Sequence, residues 1–416
     1  MDLRFLPALP LEVSYPLLFG VLLVAGMLGG ETARALKLPR IIGYVLVGFA
    51  IGPVANTLMP SPLIEEARIF VDIALGLVLF DLGRRMDLEW MKRDWTLAAS
   101  GLAESFITFA LVFATLTFFD FAPVQAGLAA AIAIATSPAV VLLVAQDSRA
   151  EGQVTERAMN LVALNSLLAS ILVTMQLAAV HYEVRLDLDT AVLHPLYLFA
   201  GSLALGGMMA TLARAIARLV DKRPELHFTL IAGLVVGAVG IAQSLKLSVI
   251  LALLAFGLFA REGAGRHDLL NVDMGRATRL FYIVLFVITG ASLPLSSFET
   301  AGWMAGAFLA ARALGKFLGV LVFAPIGGVR VKQAVALGAA LLPMSSIALL
   351  LQHDVAKLYP GFGEQLAAVM ISAVIVMELI GPIAVQWGLR FAGESAPDES
   401  PLAPAAAPAA SRSLEA

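Results

Sequence analysis

Thirteen apolar stretches follow one another along this chain, and the segments between them are short. Sixty per cent of the residues are hydrophobic, and the mean hydropathy is +0.89. A helix of about 20 apolar residues spans the hydrocarbon layer of a bilayer, so the pattern predicts an all-α integral membrane protein. The predicted spans are 15–35, 40–58, 66–83, 97–119, 124–146, 157–180, 193–217, 226–244, 247–262, 277–295, 300–324, 333–352 and 364–390.

The composition excludes several classes of function. A formal net charge of −3 over 416 residues gives no electrostatic basis for binding nucleic acid. The absence of cysteine excludes disulfides, thiolate metal sites and cysteine nucleophiles. The five histidines have no metal-like spacing, and no catalytic triad or phosphate-binding loop is found in the sequence. We therefore expect neither an enzyme nor a cofactor, and no metal other than a transported cation.

The basic residues predict the orientation in the membrane. Lys and Arg collect in the connections from odd-numbered to even-numbered spans, and the opposite connections hold only Arg68, Arg185, Lys246 and Lys357. Because cytoplasmic loops carry the excess of Lys and Arg, we expect the N-terminus outside and the C-terminus in the cytoplasm. The expected location is a bacterial inner (plasma) membrane, with the first span as an uncleaved anchor.

Two spans carry helix-breaking residues at mid-depth. Span 5 contains Ala135-Thr136-Ser137-Pro138, and span 12 contains Pro343-Met344-Ser345-Ser346. Proline removes a backbone donor and clashes with the preceding turn, and such a break survives in lipid only where protein or a wet cavity surrounds it. Either break alone is also compatible with a simple kink. Thr136, Ser137 and Ser345 are hydroxyls that a transported ion could meet.

The offset between the two breaks predicts an internal repeat. Spans 5 and 12 are seven apart, and an odd offset reverses direction across the membrane, so residues 15–180 and 226–390 become inverted halves joined by a linker helix at 193–217. Interrupted helices at matching places in inverted repeats are typical of secondary transporters. We predict one membrane domain over residues 1–394, followed by a disordered cytoplasmic tail at 395–416 that is rich in Ala and Pro.

Four charged residues lie inside the predicted spans, where each costs about 2.5–3.5 kcal/mol on insertion scales. Arg312 and Lys316 are four apart and share a helix face, and Glu378 is the acid expected to balance them. Lys316 is either a proton carrier that competes with the ion or a member, with Arg312 and Glu378, of a structural polar network. Glu104 is one turn inside its span, and we expect it to reach the membrane interface.

Several stretches, in order over about residues 15–394, resemble the monovalent cation:proton antiporter family (sodium/proton exchangers). The similar segments are Leu38-Pro39-Arg40 with Gly43 and Gly48, Ala74-Leu75-Gly76 with Asp81, Ala135-Thr136-Ser137-Pro138, Gly290-Ala291, Arg312-Ala313-Leu314-Gly315-Lys316, and Glu378 with Gly381-Pro382. The resemblance implies thirteen helices in inverted repeats with two crossed, unwound helices. It also implies a homodimer that exchanges a monovalent cation for protons by an elevator-like shift. Thr136 and Ser137 would line the ion site, and Lys316 would occupy the basic position of the eleventh helix.

One departure from the family pattern bears directly on function. The sixth helix of the family carries Asp-Asp or Asn-Asp, whereas this chain has Asn165-Ser166. Asn and Ser can ligate a cation through neutral oxygens, but neither titrates near neutral pH. The main hypothesis is therefore an atypical antiporter for Na⁺ or K⁺, with Lys316 as the proton carrier and Glu378 behind it. The alternative is an uncoupled channel, an anion or neutral-solute facilitator, or an ion-sensing protein, with Asn165 and Ser166 as packing residues.

Overall fold

The computed structural model describes residues 15–58, 62–185, 188–220, 223–262, 274–292, 294, 296–358 and 363–396. These residues form helices and connecting turns, and no strand occurs among them. The helices are α1 (Tyr15–Ala35), α2 (Arg40–Leu58), α3 (Pro62–Arg85), α4 (Leu88–Arg93), α5 (Trp95–Phe118), α6 (Pro123–Ile134), α7 (Pro138–Asp147), α8 (Gln153–Arg185), α9 (Leu188–Ala217), α10 (Pro224–Ser244), α11 (Val249–Glu262), α12 (Met274–Ser292), α13 (Ser297–Ala301), α14 (Met304–Phe323), α15 (Val331–Ala340), α16 (Ser346–Leu358) and α17 (Glu364–Ala392).

Every predicted span coincides with a helix or with a pair of half-helices. Span 5 is divided into α6 and α7, and span 12 is divided into α15 and α16. Seven helices in the described part of the chain are long and apolar enough to cross a membrane, and three shorter apolar helices accompany them. The predicted all-α membrane fold is confirmed, whereas the count of thirteen spans stays a prediction. The boundaries of the two halves and of the tail also stay predictions, since only residues 395 and 396 of the tail are described.

The helices pack as two groups, which we call the first group (α1–α3 and α9–α12) and the second group (α4–α8 and α13–α17). In the first group α2 packs between α1 and α12, and α11 packs between α3 and α9. In the second group α14 lies along α5, and α15 lies along α17. Half-helix α7 contacts α2, α3 and α12 as well as α8 and α17, so it lies where the two groups meet.

Protein surrounds the first broken helix, which consists of α6 and α7. The most apolar stretch within Pro123–Asp147 is entirely buried, whereas about a third of the corresponding stretch is buried in α9, α10 and α14. Burial inside protein is the condition under which an interrupted helix survives at membrane depth, because other groups can then satisfy the exposed backbone.

The turn between α3 and α5 is fixed by a capped short helix. Asp87 is the N-cap of α4, and its carboxylate accepts a hydrogen bond of 2.8 Å from the backbone N–H of Trp90. The same carboxylate lies 2.6 Å from Nη2 of Arg261. The capping hydrogen bond, reinforced by Arg261, holds the pKa of Asp87 below its usual value.

Candidate functional site

The two helix breaks cross each other and exchange hydrogen bonds. The backbone N–H of Ser137 donates to the carbonyl oxygen of Pro343 at 2.9 Å, and Oγ1 of Thr136 donates to the carbonyl of Leu341 at 3.0 Å. The hydroxyls of Ser137 and Ser345 also hydrogen-bond to each other. The two disrupted helices therefore meet at their breaks in the structure, as the sequence predicts.

Sequence chemistry explains where each half-helix begins and ends. Pro138 stands in the first turn of α7, where a missing N–H costs nothing, and Oγ of Ser137 caps that turn by accepting from the N–H of Val140 at 3.4 Å. Half-helices α6 and α15 both end at the crossing, so their carboxyl ends face each other. Each such end carries a partial negative charge from its unpaired carbonyls.

Arg312 of α14 satisfies these carbonyl ends. Its Nε donates to Ala133 at 2.8 Å, and its Nη2 donates to Ala135 at 2.8 Å and to Pro343 at 3.3 Å. Its Nη1 donates to the carbonyl of Leu342. One guanidinium thus joins the ends of α6 and α15, and it fills carbonyl positions that a transported cation would otherwise meet.

Lys316, one turn further along α14, forms a buried ion pair with Glu104 of α5. Its Nζ lies 2.6 Å from Oε1 of Glu104, and both side chains have 0% exposure. The same Nζ donates to the carbonyl of Ile134 at 2.6 Å, and Oγ1 of Thr108 donates to Oε1 of Glu104 at 3.2 Å. The expectation that Glu104 reaches the membrane interface is wrong, because α14 covers this face of α5.

Two glycines let α14 and α5 approach closely enough for this pair. A Cβ on Gly319 would lie 2.1 Å from Cα of Glu104, and a Cβ on Gly315 would lie 2.5 Å from Cα of Thr108. Small residues four apart allow helix backbones to touch in membranes. The glycines flank Lys316, so the same contact that joins the helices places its ammonium group at the carboxylate.

Asn165 joins the crossing, whereas Ser166 bonds within its own helix. Nδ2 of Asn165 donates to Oγ1 of Thr136 at 3.4 Å, and Oδ1 accepts from Oγ of Ser105 at 3.2 Å. Oγ of Ser166 donates to the carbonyl of Val162 at 2.8 Å, one turn earlier in α8. Both are buried, but of the two only Asn165 forms a described hydrogen bond to the broken helix.

Glu378 does not pair with the basic residues of α14. It is fully buried in α17, and neither of its carboxylate oxygens has a hydrogen-bond partner among the described residues. The expectation that Glu378 balances Arg312 and Lys316 is therefore wrong. Arg312 binds backbone carbonyls, and the acid that pairs with Lys316 is Glu104. Glu378 lies one turn before Gly381, which contacts Pro343.

The structure thus brings together six residues of the predicted site, namely Thr136, Ser137, Asn165, Ser345, Arg312 and Lys316, and their role in binding an ion stays a prediction. Sequence reasoning missed Glu104 as the partner of Lys316, and it missed the hydroxyls of Ser105 and Thr108 beside it. The signal is present in the sequence, because Gly315 and Gly319 form a Gly-x-x-x-Gly motif around the lysine. The motif indicates a closely packed neighbouring helix, and a helix that carries an acid can balance the charge of Lys316 there.

Crossed half-helices at the centre of an apolar helical bundle, with buried charges at the crossing, define a membrane transport protein. The sodium/hydrogen exchanger transmembrane family model matches residues 19–390, and the chain belongs to this family. Its fold is similar to a structure at pH 8 of the sodium proton antiporter MjNhaP1 from Methanocaldococcus jannaschii, with 20% identity, a TM-score of 0.69 and coverage of 92% of this chain and 98% of that one. An electron-microscopy structure of the same antiporter gives 22% identity and a TM-score of 0.63, over 91% of this chain and 98% of the other. Comparison with curated protein sequences gave no match.

Proposed function

We propose that the protein exchanges a monovalent cation, Na⁺ or K⁺, for protons, and that Glu104 and Lys316 form the exchange site. Membership of the sodium/hydrogen exchanger family supports cation:proton exchange. The observation that carries the proposal is the fully buried ion pair beside the crossing, with 2.6 Å between Nζ and Oε1. It supplies a titratable pair where Asn165-Ser166 supplies none.

The ammonium group of Lys316 occupies a place suited to a cation. Its two acceptors are a carboxylate oxygen of Glu104 and the carbonyl oxygen of Ile134. Oxygen ligands of this kind are those that hard cations take. A cation that enters replaces the ammonium at these oxygens, and Lys316 then releases a proton and becomes a neutral amine.

The charge balance of this step sets a stoichiometry. Before exchange, the pair holds one carboxylate and one ammonium. After exchange, it holds one carboxylate, one metal cation and a neutral amine. The site charge is unchanged, so each cation that enters releases one proton, and we expect electroneutral exchange of one for one.

The neighbouring polar residues have supporting roles. Arg312 keeps the ends of α6 and α15 together by holding their carbonyls. Thr136, Ser137, Asn165 and Ser345 supply neutral oxygens along the entry to the pair. Oγ of Ser166 donates to the carbonyl of Val162 and keeps its lone pairs as a further neutral ligand for a cation.

The setting of the exchange site is also proposed. We infer a bacterial inner membrane, an outside N-terminus, a cytoplasmic C-terminus and a homodimer. The excess of Lys and Arg in alternate connections supports the orientation. Family membership supports the protein being integral to a membrane.

Proteoliposomes with an entrapped pH-sensitive dye test the proposal. Wild type is expected to move protons when Na⁺ or K⁺ is added, and Glu104→Gln and Lys316→Ala are expected to abolish that movement. Asp72→Asn and Lys332→Ala are matched controls outside the pair and should transport normally. Full proton movement in both Glu104→Gln and Lys316→Ala would refute the assignment of the site.

The alternative is an uncoupled conductor of an anion. Among the side chains at the crossing, two buried cations, Arg312 and Lys316, stand against one acid, Glu104, and this excess of one positive charge, before the carboxyl ends of α6 and α15 are counted, supports an anion as the conducted ion. The same liposomes distinguish the two functions. Chloride flux without proton movement, independent of Na⁺ and K⁺, would establish the alternative and contradict antiport.

A further inference from the structure

A separate cavity of about 800 Å³ lies where the two helix groups meet, at the face predicted to be cytoplasmic. The end of α1 and the turn after it form one wall, and the end of α7 forms the opposite wall. Residues of α12 and α17 complete the lining. None of the residues of the proposed exchange site lines this cavity, so it is a distinct feature of the molecule.

The lining of this cavity, which we call the basic cavity, is strongly cationic. It contains two carboxylates, Glu31 and Asp147. Its cationic side chains are Arg34, Lys37, Arg40, Arg149, Arg279 and Arg390. Six cations against two acids leave an excess of four positive charges.

Both acids are already held by one arginine. Nη2 of Arg40 lies 2.8 Å from Oε1 of Glu31, and its Nη1 lies 3.0 Å from Oδ1 of Asp147. Arg34 is only within 3.7 Å of Glu31, and it is largely exposed. The two carboxylates thus form their short ion pairs with Arg40, and the lining as a whole keeps its excess of positive charge.

We propose that the basic cavity binds a phosphate-bearing anion. The planar guanidinium group of arginine presents N–H donors whose spacing matches phosphate oxygens, and it binds them through charge-assisted hydrogen bonds. The volume lies within the range of small-molecule sites, roughly 300–1,000 Å³, and exceeds the need of a single inorganic ion. The ligand is either a soluble phosphate compound or the anionic headgroup of a lipid, which share this chemistry.

The cationic side chains of the basic cavity come from both groups of helices, so a bound anion can link the two groups. Arg34 and Arg279 belong to the first group of helices, whereas Arg390 belongs to the second group. An anion that contacts both sides links the two groups. A ligand that binds only the folded protein raises its thermal stability, whether or not the protein couples cation flux to protons.

Binding to purified protein in neutral detergent tests the proposal without any transport measurement. The soluble probes are inorganic pyrophosphate and ATP without divalent metal. The lipid probe is dihexanoyl-phosphatidylglycerol, with dihexanoyl-phosphatidylcholine as its uncharged counterpart. We expect at least one anionic probe to raise the Tm and to bind with a measurable Kd in calorimetry. Binding by pyrophosphate or ATP assigns a soluble ligand, and binding by phosphatidylglycerol alone assigns a lipid headgroup.

Matched charge variants locate the binding. Arg34→Gln/Arg279→Gln should weaken the Kd about tenfold or more, since each change removes charge-assisted hydrogen bonds. Lys92→Gln/Arg93→Gln removes the same charge from exposed positions outside the lining and should leave the Kd unchanged. Arg390→Gln, in α17 of the second group of helices, is a second test if the first variant folds poorly. No binding by any anionic probe, equal binding of the two lipids, or equal loss in the Lys92/Arg93 control overturns the proposal.

Discussion

The buried pair of Glu104 and Lys316 predicts a strong energetic coupling that a double-mutant cycle can measure. Removing one partner of a buried ion pair leaves an uncompensated charge and costs about 3–5 kcal/mol, whereas replacing both with neutral groups of similar volume is often close to neutral. Glu104→Gln leaves the ammonium group with the carbonyl of Ile134 as acceptor. Lys316→Met leaves a carboxylate that keeps only the hydroxyl of Thr108, because Oε2 has no partner among the described residues.

We therefore expect each single variant to lose about 3–5 kcal/mol of unfolding free energy and the Glu104→Gln/Lys316→Met variant to regain most of that loss. Denaturant unfolding in mixed micelles, followed through the fluorescence of the four tryptophans, gives the four free energies of the cycle. A cycle on the exposed pair Glu31 and Arg34, at 3.7 Å, is the control, and its coupling should stay below about 1 kcal/mol. If the losses at Glu104 and Lys316 simply add, the two groups are not coupled, and the exchange site is wrongly assigned.

Three further predictions follow from the packing and the charges. Gly319→Ala should lower the Tm by several degrees and slow exchange, because the added Cβ would lie 2.1 Å from the backbone of α5. The control is Gly306→Ala, whose Cβ would have no atom within 4 Å, and this variant should be as stable as wild type or about 0.5–1 kcal/mol more stable. Because the pKa of Asp87 is lowered in the folded protein, its ionised carboxylate stabilises the fold above about pH 4. This contribution to stability disappears as the pH falls through the folded-state pKa. The stability advantage of wild type over Asp87→Asn should therefore shrink in acid unfolding and stay constant between about pH 6 and 8. Asn165→Asp should alter the pH profile of dye-reported exchange more than Ser166→Asp, because Asn165 hydrogen-bonds to the broken helix whereas Ser166 hydrogen-bonds within α8. Equal effects would contradict this orientation of α8.

The sequence predicts the helices and both breaks because those features depend on local chemistry. Length and apolarity determine a membrane span, and proline beside hydroxyl residues at mid-span favours a break at 138 and 343, although Pro195 and Pro382 lie inside continuous helices. The shared face of Arg312 and Lys316 follows from helical periodicity alone. These parts of the site therefore follow from the sequence, and so does the absence of an acid at Asn165-Ser166.

The partner of Lys316 does not follow from the sequence in the same way. Glu104 and Glu378 are both intramembrane acids, and periodicity does not decide which of them faces α14. The choice depends on which surface of α5 lies against Gly315 and Gly319. That surface is a tertiary property, although the spacing of the two glycines indicates that α14 has a closely packed neighbour.

The pairing of Lys316 with Glu104 also explains how this crossing accommodates two basic residues although Asn165 and Ser166 carry no charge. The carboxyl ends of α6 and α15 each carry roughly half a negative charge, and Arg312 binds carbonyls from both. Those ends together offset about one positive charge, and Glu104 offsets the other. At the carboxyl ends that Arg312 and Lys316 bind, the charges are thus close to balanced, whereas α7 and α16 begin at the crossing with amino ends of the opposite partial charge. A cation can enter such a site only if a positive charge leaves it, and among the charged groups at the crossing Lys316 can give up a proton, whereas the guanidinium of Arg312 stays charged. If Glu104 and Lys316 form the exchange site, as we propose, this balance couples the entry of a cation to the release of a proton.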